Sequence, residues 1–297
     1  MIKLDDFRTT MRESQIYRRL GRRLRLELSS VARTFATPIV GRAPDRSNVC
    51  VMFHVGRSGS TVLADMLDQL PDVISDSEIY TDYRDRDALR QRFANASEYT
   101  ETKIVSRRRL LRGGGTYLFE CKFPNSVDMR LFPFGIEGYV GYLRSLGMQH
   151  AIMLRRKNLL RRFVSNRLAT ESGRYHWKPG EVPHLPRVDL DVDRIAFGPG
   201  FYTLLDAISL VEQEFGRLEG AFRESGIAWL DLVYEDDIET NPSIGYRKAC
   251  AYLGVQAAGV TPRYARINAR PLSQIIMNFD AVADVLDGTP HAWMLDG

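Results

Sequence analysis

Long hydrophobic runs are missing from this chain of 297 residues, and its longest apolar segments are only strand-sized. A transmembrane helix needs about 20 consecutive apolar residues, so we expect none. The opening residues, Met1 to Asp6, are not followed by the apolar stretch of a signal peptide. The three cysteines lie far apart and show neither a disulfide framework nor metal-ligand spacing. These absences favour a cytoplasmic protein that requires no metal.

The basic charge is concentrated at the N-terminus, where residues 1–48 hold 11 Lys/Arg and 5 Asp/Glu, although the whole chain carries only +4. An apolar stripe surrounded by arginines predicts an amphipathic helix over residues 11–35; its members are Ile16, Leu20, Leu24, Leu28, Val31 and Phe35. Such a helix either lies on an anionic membrane surface or packs on the main domain or on a second subunit. The absence of an aromatic platform argues against a nucleic-acid partner. We therefore divide the chain into this helix with its linker, 1–47, and a main domain, 48–297.

Apolar strand-like segments alternate with helical periodicity through the main domain. This alternation predicts an α/β fold, namely a three-layer, P-loop-like arrangement in which helices flank a central parallel sheet. The strands are expected near 49–56, 73–78, 116–122, 150–154 and 228–233, and the main helices near 60–70, 82–95, 135–147, 158–170, 201–223 and 243–253. The Pro-rich segment 173–199 is expected to be a loop or lid. In such sheets ligands bind at the carboxyl ends of the strands.

A Gly/Ser turn joins the first predicted strand to the first predicted helix. Glycines allow close backbone approach, and the free N–H groups of a helix start attract anions. An arginine adds planar donors suited to phosphate or sulfate, and hydroxyls add further donors. The turn comprises Gly56, Arg57, Ser58, Gly59, Ser60 and Thr61. This pattern predicts a phosphate cradle.

The turn is not a Walker A loop. That motif places Lys directly before its Ser or Thr, and its glycines are five residues apart. Here Gly56 and Gly59 are three apart, and no Lys precedes Ser60 or Thr61. A P-loop kinase or NTPase is therefore the alternative hypothesis and not the first one.

The turn resembles the 5′-phosphosulfate loop of sulfotransferases that use 3′-phosphoadenosine 5′-phosphosulfate (PAPS). It is most similar to the R-S-G-S-T form of carbohydrate sulfotransferases, particularly bacterial enzymes that sulfate glycolipids and lipo-oligosaccharides. Later segments are also similar to that family, namely residues 234–237, 252–255 and 271–279. The resemblance thus spans about residues 48–295 and implies PAPS as sulfuryl donor and a carbohydrate or glycolipid hydroxyl as acceptor.

The family's 3′-phosphate site implies further cofactor-binding residues. There an Arg ends a strand and a Ser follows eight residues later; here Ser165 is preceded at that distance by Lys157, so either Lys157 or Arg156 is the cation. Which basic residues reach the 3′-phosphate stays open among Arg155, Arg156, Lys157, Arg263, Arg266 and Arg270.

Catalytic residues are implied in the same way. Glu78 lies at the distance from the loop where carbohydrate sulfotransferases carry their general base, and Asp76 is its nearest rival. Lys122 closes a predicted strand, where a cation stabilises charge on the transferring or leaving group. Arg57 is expected to act at the same atoms. His54 precedes the loop inside its strand, and we expect it to have a structural or supporting role.

Overall fold

The computed structural model describes residues 48–111, 114–123, 128–175, 186–264 and 270–296. The predicted N-terminal helix and linker, Arg266 and residues 176–185 of the Pro-rich segment lie outside these ranges. Among the helices that are described, none combines the length and the apolar character that crossing a bilayer would need.

Five parallel strands form the central sheet, in the spatial order β2-β3-β1-β4-β7. They are β1 (Asn48–His54), β2 (Val73–Glu78), β3 (Thr116–Lys122), β4 (Met148–Arg155) and β7 (Ala228–Val233). Two short strands, β5 (Ile195–Phe197) and β6 (Gly200–Tyr202), form a separate antiparallel hairpin. The prediction of an α/β fold with a central parallel sheet is confirmed.

Helices lie between the strands and on both faces of the sheet. They are α1 (Ser60–Leu67), α2 (Ile79–Asp85), α3 (Asp87–Arg92), α4 (Ala96–Leu111), α5 (Ile136–Ser145), α6 (Leu159–Ser172), α7 (Leu204–Ser225), α8 (Ser243–Leu253), α9 (Leu272–Ile275) and α10 (Phe279–Leu286). Two 3₁₀ turns (Met129–Leu131 and Ala292–Asp296) and one π-helix (Tyr234–Glu239) complete the described elements.

The apolar run of β1 is continuous because both faces of this central strand are covered. Val51 and Phe53 face one layer, which contains α5 and α7, whereas Cys50 and Met52 face the opposite layer with α1 and α8. All four side chains are fully buried. The core therefore lies on both sides of the sheet and fixes the carboxyl end of β1.

The chain order creates a crevice beside β1. From β1 the chain runs to β2 at one edge of the sheet, and from β4 it runs to β7 at the other edge. The connections of these two neighbouring strands therefore diverge, and such a divergence is where ligands bind in open α/β sheets. The loop that follows β1 and the start of α6 border this crevice.

Three local predictions differ from the structure. The helix expected over 82–95 is divided into α2 and α3, because Arg86 is extended with φ −119° and ψ 108°. Helix α4 was not predicted, since its sequence is strongly charged and buries few residues. The hairpin β5-β6 lies within the predicted loop and at the predicted start of α7.

Candidate functional site

The loop after β1 exposes backbone donors at the crevice. Arg57 and Gly59 both have positive φ, 73° and 83°, so the loop turns sharply before α1 begins. Ser58 Oγ donates to Val55 O at 2.7 Å and braces the turn. Within the described part of the chain, the backbone N–H groups of residues 57–61 donate to no other residue. These donors and the dipole of α1 form an anion-binding concavity.

The π-helix closes over the same loop. A Cβ at Gly59 would lie 2.7 Å from Ile238 Cγ2 and 3.0 Å from Tyr234 Cδ2. Only glycine combines this close approach with positive φ without strain. Gly59 therefore fixes how near the π-helix comes to the cradle.

Arg57 connects the loop to α6. Its Nε donates to Ser165 Oγ at 3.2 Å, and its Nη1 donates to Tyr175 O at 2.7 Å. The structure thus brings Ser165 to the loop, although 108 residues separate it from Arg57 in sequence.

Two further arginines bind the carbonyl groups of the loop. Arg156 Nη1 donates to Arg57 O at 2.6 Å, and Arg162 Nε donates to Gly56 O at 3.2 Å. Each is 7 % exposed. Arg162 Nη1 is also buried and has no hydrogen-bond partner within the described residues. We call Arg57, Arg156 and Arg162 the arginine cluster.

Burial and mutual repulsion disfavour the charged form of the arginine cluster, and Glu235, whose Oε1 lies 3.7 Å from Arg156 Nε, offsets part of this repulsion. Burial, together with the positive charge of Arg156, lowers the pKa of Arg57 to about 10. Burial, together with the charges of Arg156 and Arg57, lowers the pKa of Arg162 to about 9. An anion bound at the cluster would offset both desolvation and mutual repulsion. The cluster therefore fits a phosphate or sulfate group.

The other basic residues considered from the sequence point elsewhere. Lys157 Nζ contacts Asp236 at 2.7 Å on the surface, and Arg155 pairs with Glu219 and Asp231. Of the remaining two described candidates, Arg263 Nη1 lies 3.6 Å from Asp65, and Arg270 contributes its carbonyl oxygen as an acceptor for Arg161.

A carboxylate already occupies the start of α6. Glu235 accepts from the backbone N–H groups of Lys157 at 2.9 Å and Asn158 at 3.0 Å. Asn158 Oδ1 accepts from Arg161 N at 2.8 Å and caps the helix. The groups available to bind an anion are therefore the N–H donors of the loop and the arginine cluster, and not the first turn of α6.

Glu78 and Lys122 meet at the same edge of the sheet. Glu78 Oε2 accepts from Lys122 Nζ at 2.6 Å and from Thr81 Oγ1 at 3.1 Å. Lys122 Cε lies 3.6 Å from the position of a Cβ on Gly56, so the pair borders the cradle. Burial opposes ionisation, but Lys122 and His54 outweigh it and hold the pKa of Glu78 below its ordinary value. Glu78 is therefore an ionised carboxylate near the loop.

Asp76, the rival base, is occupied elsewhere. Arg107 Nε binds its carboxylate at 2.5 Å and Lys103 Nζ lies 3.4 Å away. Its side chain is only 8 % exposed. Glu78, at 23 % exposed, is the more accessible of the two carboxylates.

Behind Glu78 lies a buried pair. His54 Nε2 is 3.2 Å from Glu120 Oε2, and the two side chains are 1 % and 2 % exposed. The donor atoms of His54, Glu120 and Glu78 all lie within 4.8 Å of one another, close enough to share a small cation. The ammonium of Lys122 already supplies a cation on the Glu78 side.

Asp128 is a further buried carboxyl near this corner. Arg84 Nη1 lies 3.5 Å from its Oδ1, while Oδ2 is buried without a hydrogen-bond partner in the described residues. Burial, reinforced by the negative charge of Glu78, raises its pKa to about 6. Asp128 thus changes charge in the neutral range.

Arg162, Glu235 and Asp128 were not singled out from the sequence. Arg161 and Arg162 are both buried, so this part of α6 is not a solvated basic face. Arg162 precedes Ser165 by three residues on one helix, a spacing that places them on the same face and was the available signal. No local pattern marks Glu235 or Asp128.

Comparison with known proteins adds no relative: a scan against protein-family models found no match, and a search of curated proteins found no significant match.

Proposed function

We propose that this protein is a sulfotransferase that moves the sulfuryl group of PAPS to a hydroxyl of a carbohydrate or glycolipid. The observation that carries the proposal is the arginine cluster on a donor-rich loop, with an ionised, partly exposed Glu78 beside it. The resemblance of the loop to the phosphosulfate loop of this enzyme family supports the same conclusion.

The residues present fit a donor with two separate anionic groups. The N–H groups and hydroxyls of the loop residues would hold the 5′-phosphosulfate. Ser165, whose hydroxyl accepts a 3.2 Å hydrogen bond from Arg57, would hold the 3′-phosphate together with Arg156. The buried Nη1 of Arg162, which has no partner within the described residues, also favours a bound anion.

PAPS supplies a sulfuryl group attached to a good leaving group, adenosine 3′,5′-bisphosphate. Glu78 would accept the proton of the acceptor hydroxyl as the new O–S bond forms and the old S–O bond breaks in line. Lys122 keeps Glu78 ionised and, with Arg57, places positive charge where the phosphate leaves. The proton is thus held on the Glu78 carboxylate, and no metal is required by this scheme.

The location of the acceptor is part of the proposal. The three cysteines are buried and unpaired, as suits a reducing cytoplasm. The basic segment 1–47 would bring the enzyme to the inner membrane face, where it meets a glycolipid, or would pack on a second subunit. No nucleic-acid partner is proposed.

The test is transfer of label from [³⁵S]PAPS to oligosaccharide and glycolipid extracts in the presence of EDTA. We expect labelled acceptor with the wild-type protein and at least a 100-fold lower rate with Glu78→Gln, since general-base catalysis contributes about 10²–10⁴-fold. Asp82→Asn, on the neighbouring helix, is the matched control and should transfer normally. Equal transfer by Glu78→Gln would overturn the role of Glu78 as the base. Phosphoryl transfer from Mg-ATP without sulfuryl transfer would overturn the proposal in favour of the kinase alternative.

A further inference from the structure

The buried pair His54 and Glu120 has no role in the proposed reaction so far. Their facing atoms, Nε2 and Oε2, are 3.2 Å apart, and neither has a hydrogen-bond partner elsewhere in the described residues. A buried carboxylate is costly unless a donor or cation faces it. The Nε2 atom of His54 therefore carries a proton and donates it to Oε2 of the ionised Glu120.

Sheet register places this pair directly behind the proposed base. Glu78 on β2 is opposite Glu120 on β3, and Lys122 on β3 is opposite His54 on β1. Four side chains with complementary charge are thus gathered at one corner of the sheet. His54 Nδ1 faces the carbonyl oxygen of Val55 at 3.4 Å and Nε2 faces Glu120, so both ring nitrogens are placed as donors. With both protonated, the charges of His54 and Lys122 balance those of Glu78 and Glu120.

We propose that His54, held by Glu120, is a positioning residue for Glu78 that fixes its carboxylate beside the cradle. His54 ends β1 and is followed directly by Val55 and the loop, so the same strand end sets the position of both cradle and base. The inference rests on the proposed function for the reaction it serves. The contact itself is independent of that function.

The charged groups around Glu78 determine the pH at which its carboxylate is protonated. It is faced by Lys122 and Glu120 from β3, by His54 from β1 and by Thr81 from α2. The charges of Asp128 and Arg57 act on it from the turn before the 3₁₀ segment and from the loop, respectively. Removing His54 leaves Lys122 as the main group that favours the ionised form, so Glu78 should protonate at a higher pH.

The first test uses NMR of the full chain with ¹⁵N-labelled histidine, with His54 assigned from its loss in His54→Gln. We expect a proton on Nε2 in the wild type, and a change of the His54 signals in both Glu120→Gln and Glu78→Gln. His150, which packs edge-on against Tyr252 at the start of β4, is the internal control and should not respond. A His54 ring protonated only on Nδ1, or one unaffected by Glu120→Gln, would overturn the proposal. Stoichiometric metal that is lost in His54→Gln would overturn it too.

The second test is kinetic. Misplacing a reacting group costs about 10²-fold, so we expect kcat to fall by about 10- to 100-fold in His54→Gln. The KM for PAPS and the affinity for adenosine 3′,5′-bisphosphate should stay within about threefold, because the cradle is intact. The acid limb of kcat should move to higher pH, and His54→Ala should be slower than His54→Gln, whose amide still offers a donor.

Glu120→Gln is the second variant if His54→Gln does not fold, and it should show the same kcat loss. Its acid limb should not move to higher pH, because the substitution removes a negative charge beside Glu78. An unchanged kcat and acid limb in a folded variant would contradict the positioning role. If the wild type transfers no sulfuryl group, the proposed function fails, whereas the NMR response of His54 to Glu78→Gln still decides whether this pair positions the carboxylate.

Discussion

Replacing Arg162 by Met should stabilise the ligand-free protein and remove most of its response to anions. Burial and two neighbouring arginines lower the pKa of Arg162 from 12.5 to about 9. At about 1.4 kcal/mol per pKa unit, the charged form carries a penalty on the order of 5 kcal/mol. The hydrogen bond to Gly56 O returns about 1.5–3 kcal/mol, and stacking on Phe163 and Phe197 about 1–2 kcal/mol. On balance, Arg162→Met should raise the unfolding free energy of the ligand-free protein by about 1 kcal/mol.

The sign of this effect sets the pH of the measurement. Because the folded-state pKa of Arg162 is below its unfolded value, the penalty is complete below pH of about 9 and is relieved only as the pH rises above it. Thermal unfolding at pH 7 therefore reports it in full. We expect Arg162→Met to melt about 2–4 °C higher than the wild type without ligand.

Ligand should reverse the order of the two proteins. At a concentration of about 100 times its Kd, adenosine 3′,5′-bisphosphate raises the unfolding free energy of the wild type by about 2.7 kcal/mol, which raises its Tm by about 5–11 °C. The shift should fall to less than a third in Arg162→Met. Arg167→Met on the same helix, where an exposed pair with Glu171 is lost, should change neither value by more than about 1 kcal/mol. A ligand-free Arg162→Met protein that melts lower and keeps the full ligand shift would refute the reasoning.

Three further outcomes are expected. Gly59→Ala should lose about 1–3 kcal/mol of unfolding free energy and weaken bisphosphate binding, because its methyl group overlaps the π-helix; Gly141→Ala, which meets nothing within 4 Å, should not. Lys157→Ala should change bisphosphate affinity by less than about threefold, since its exposed ammonium pairs with Asp236; a larger loss in calorimetry would restore it as the 3′-phosphate cation. Asp128→Asn should become more stable relative to the wild type by about 2–3 kcal/mol as the pH rises from about 4 to 7, measured by urea unfolding. The reason is that the raised pKa of Asp128 in the folded protein makes the wild type lose stability as this carboxyl ionises. A difference in unfolding free energy that does not depend on pH would contradict this.

The β1–loop–α1 unit was predictable because its signals are local. A continuous apolar run ends at Gly56, and the structure has β1 at Asn48–His54 and α1 at Ser60–Leu67. The parallel sheet followed from the alternation of strands and helices in the same way. Local periodicity also predicted the first and last residues of α5 and α8 to within about two residues.

The composition of the site was less accessible, because it depends on contacts between distant segments. Arg162 is buried only because β4 lies next to β1, an order that no local pattern encodes. Glu235 reaches the start of α6 through a π-helix, which the acidic run at 235–237 does not distinguish from a strand end. The pairing of His54 with Glu120 likewise follows from the register of β1 and β3.

The measurement that tests the central claim most directly is calorimetric titration with adenosine 3′,5′-bisphosphate, with ATP as the comparison and EDTA present throughout. The account predicts tight binding of the bisphosphate, weak binding of ATP, and loss of affinity in Arg57→Ala and Ser165→Ala, with Arg167→Met unchanged. Metal-dependent ATP binding without preference for the 3′-phosphate, or bisphosphate binding that Arg57→Ala leaves intact, would contradict it.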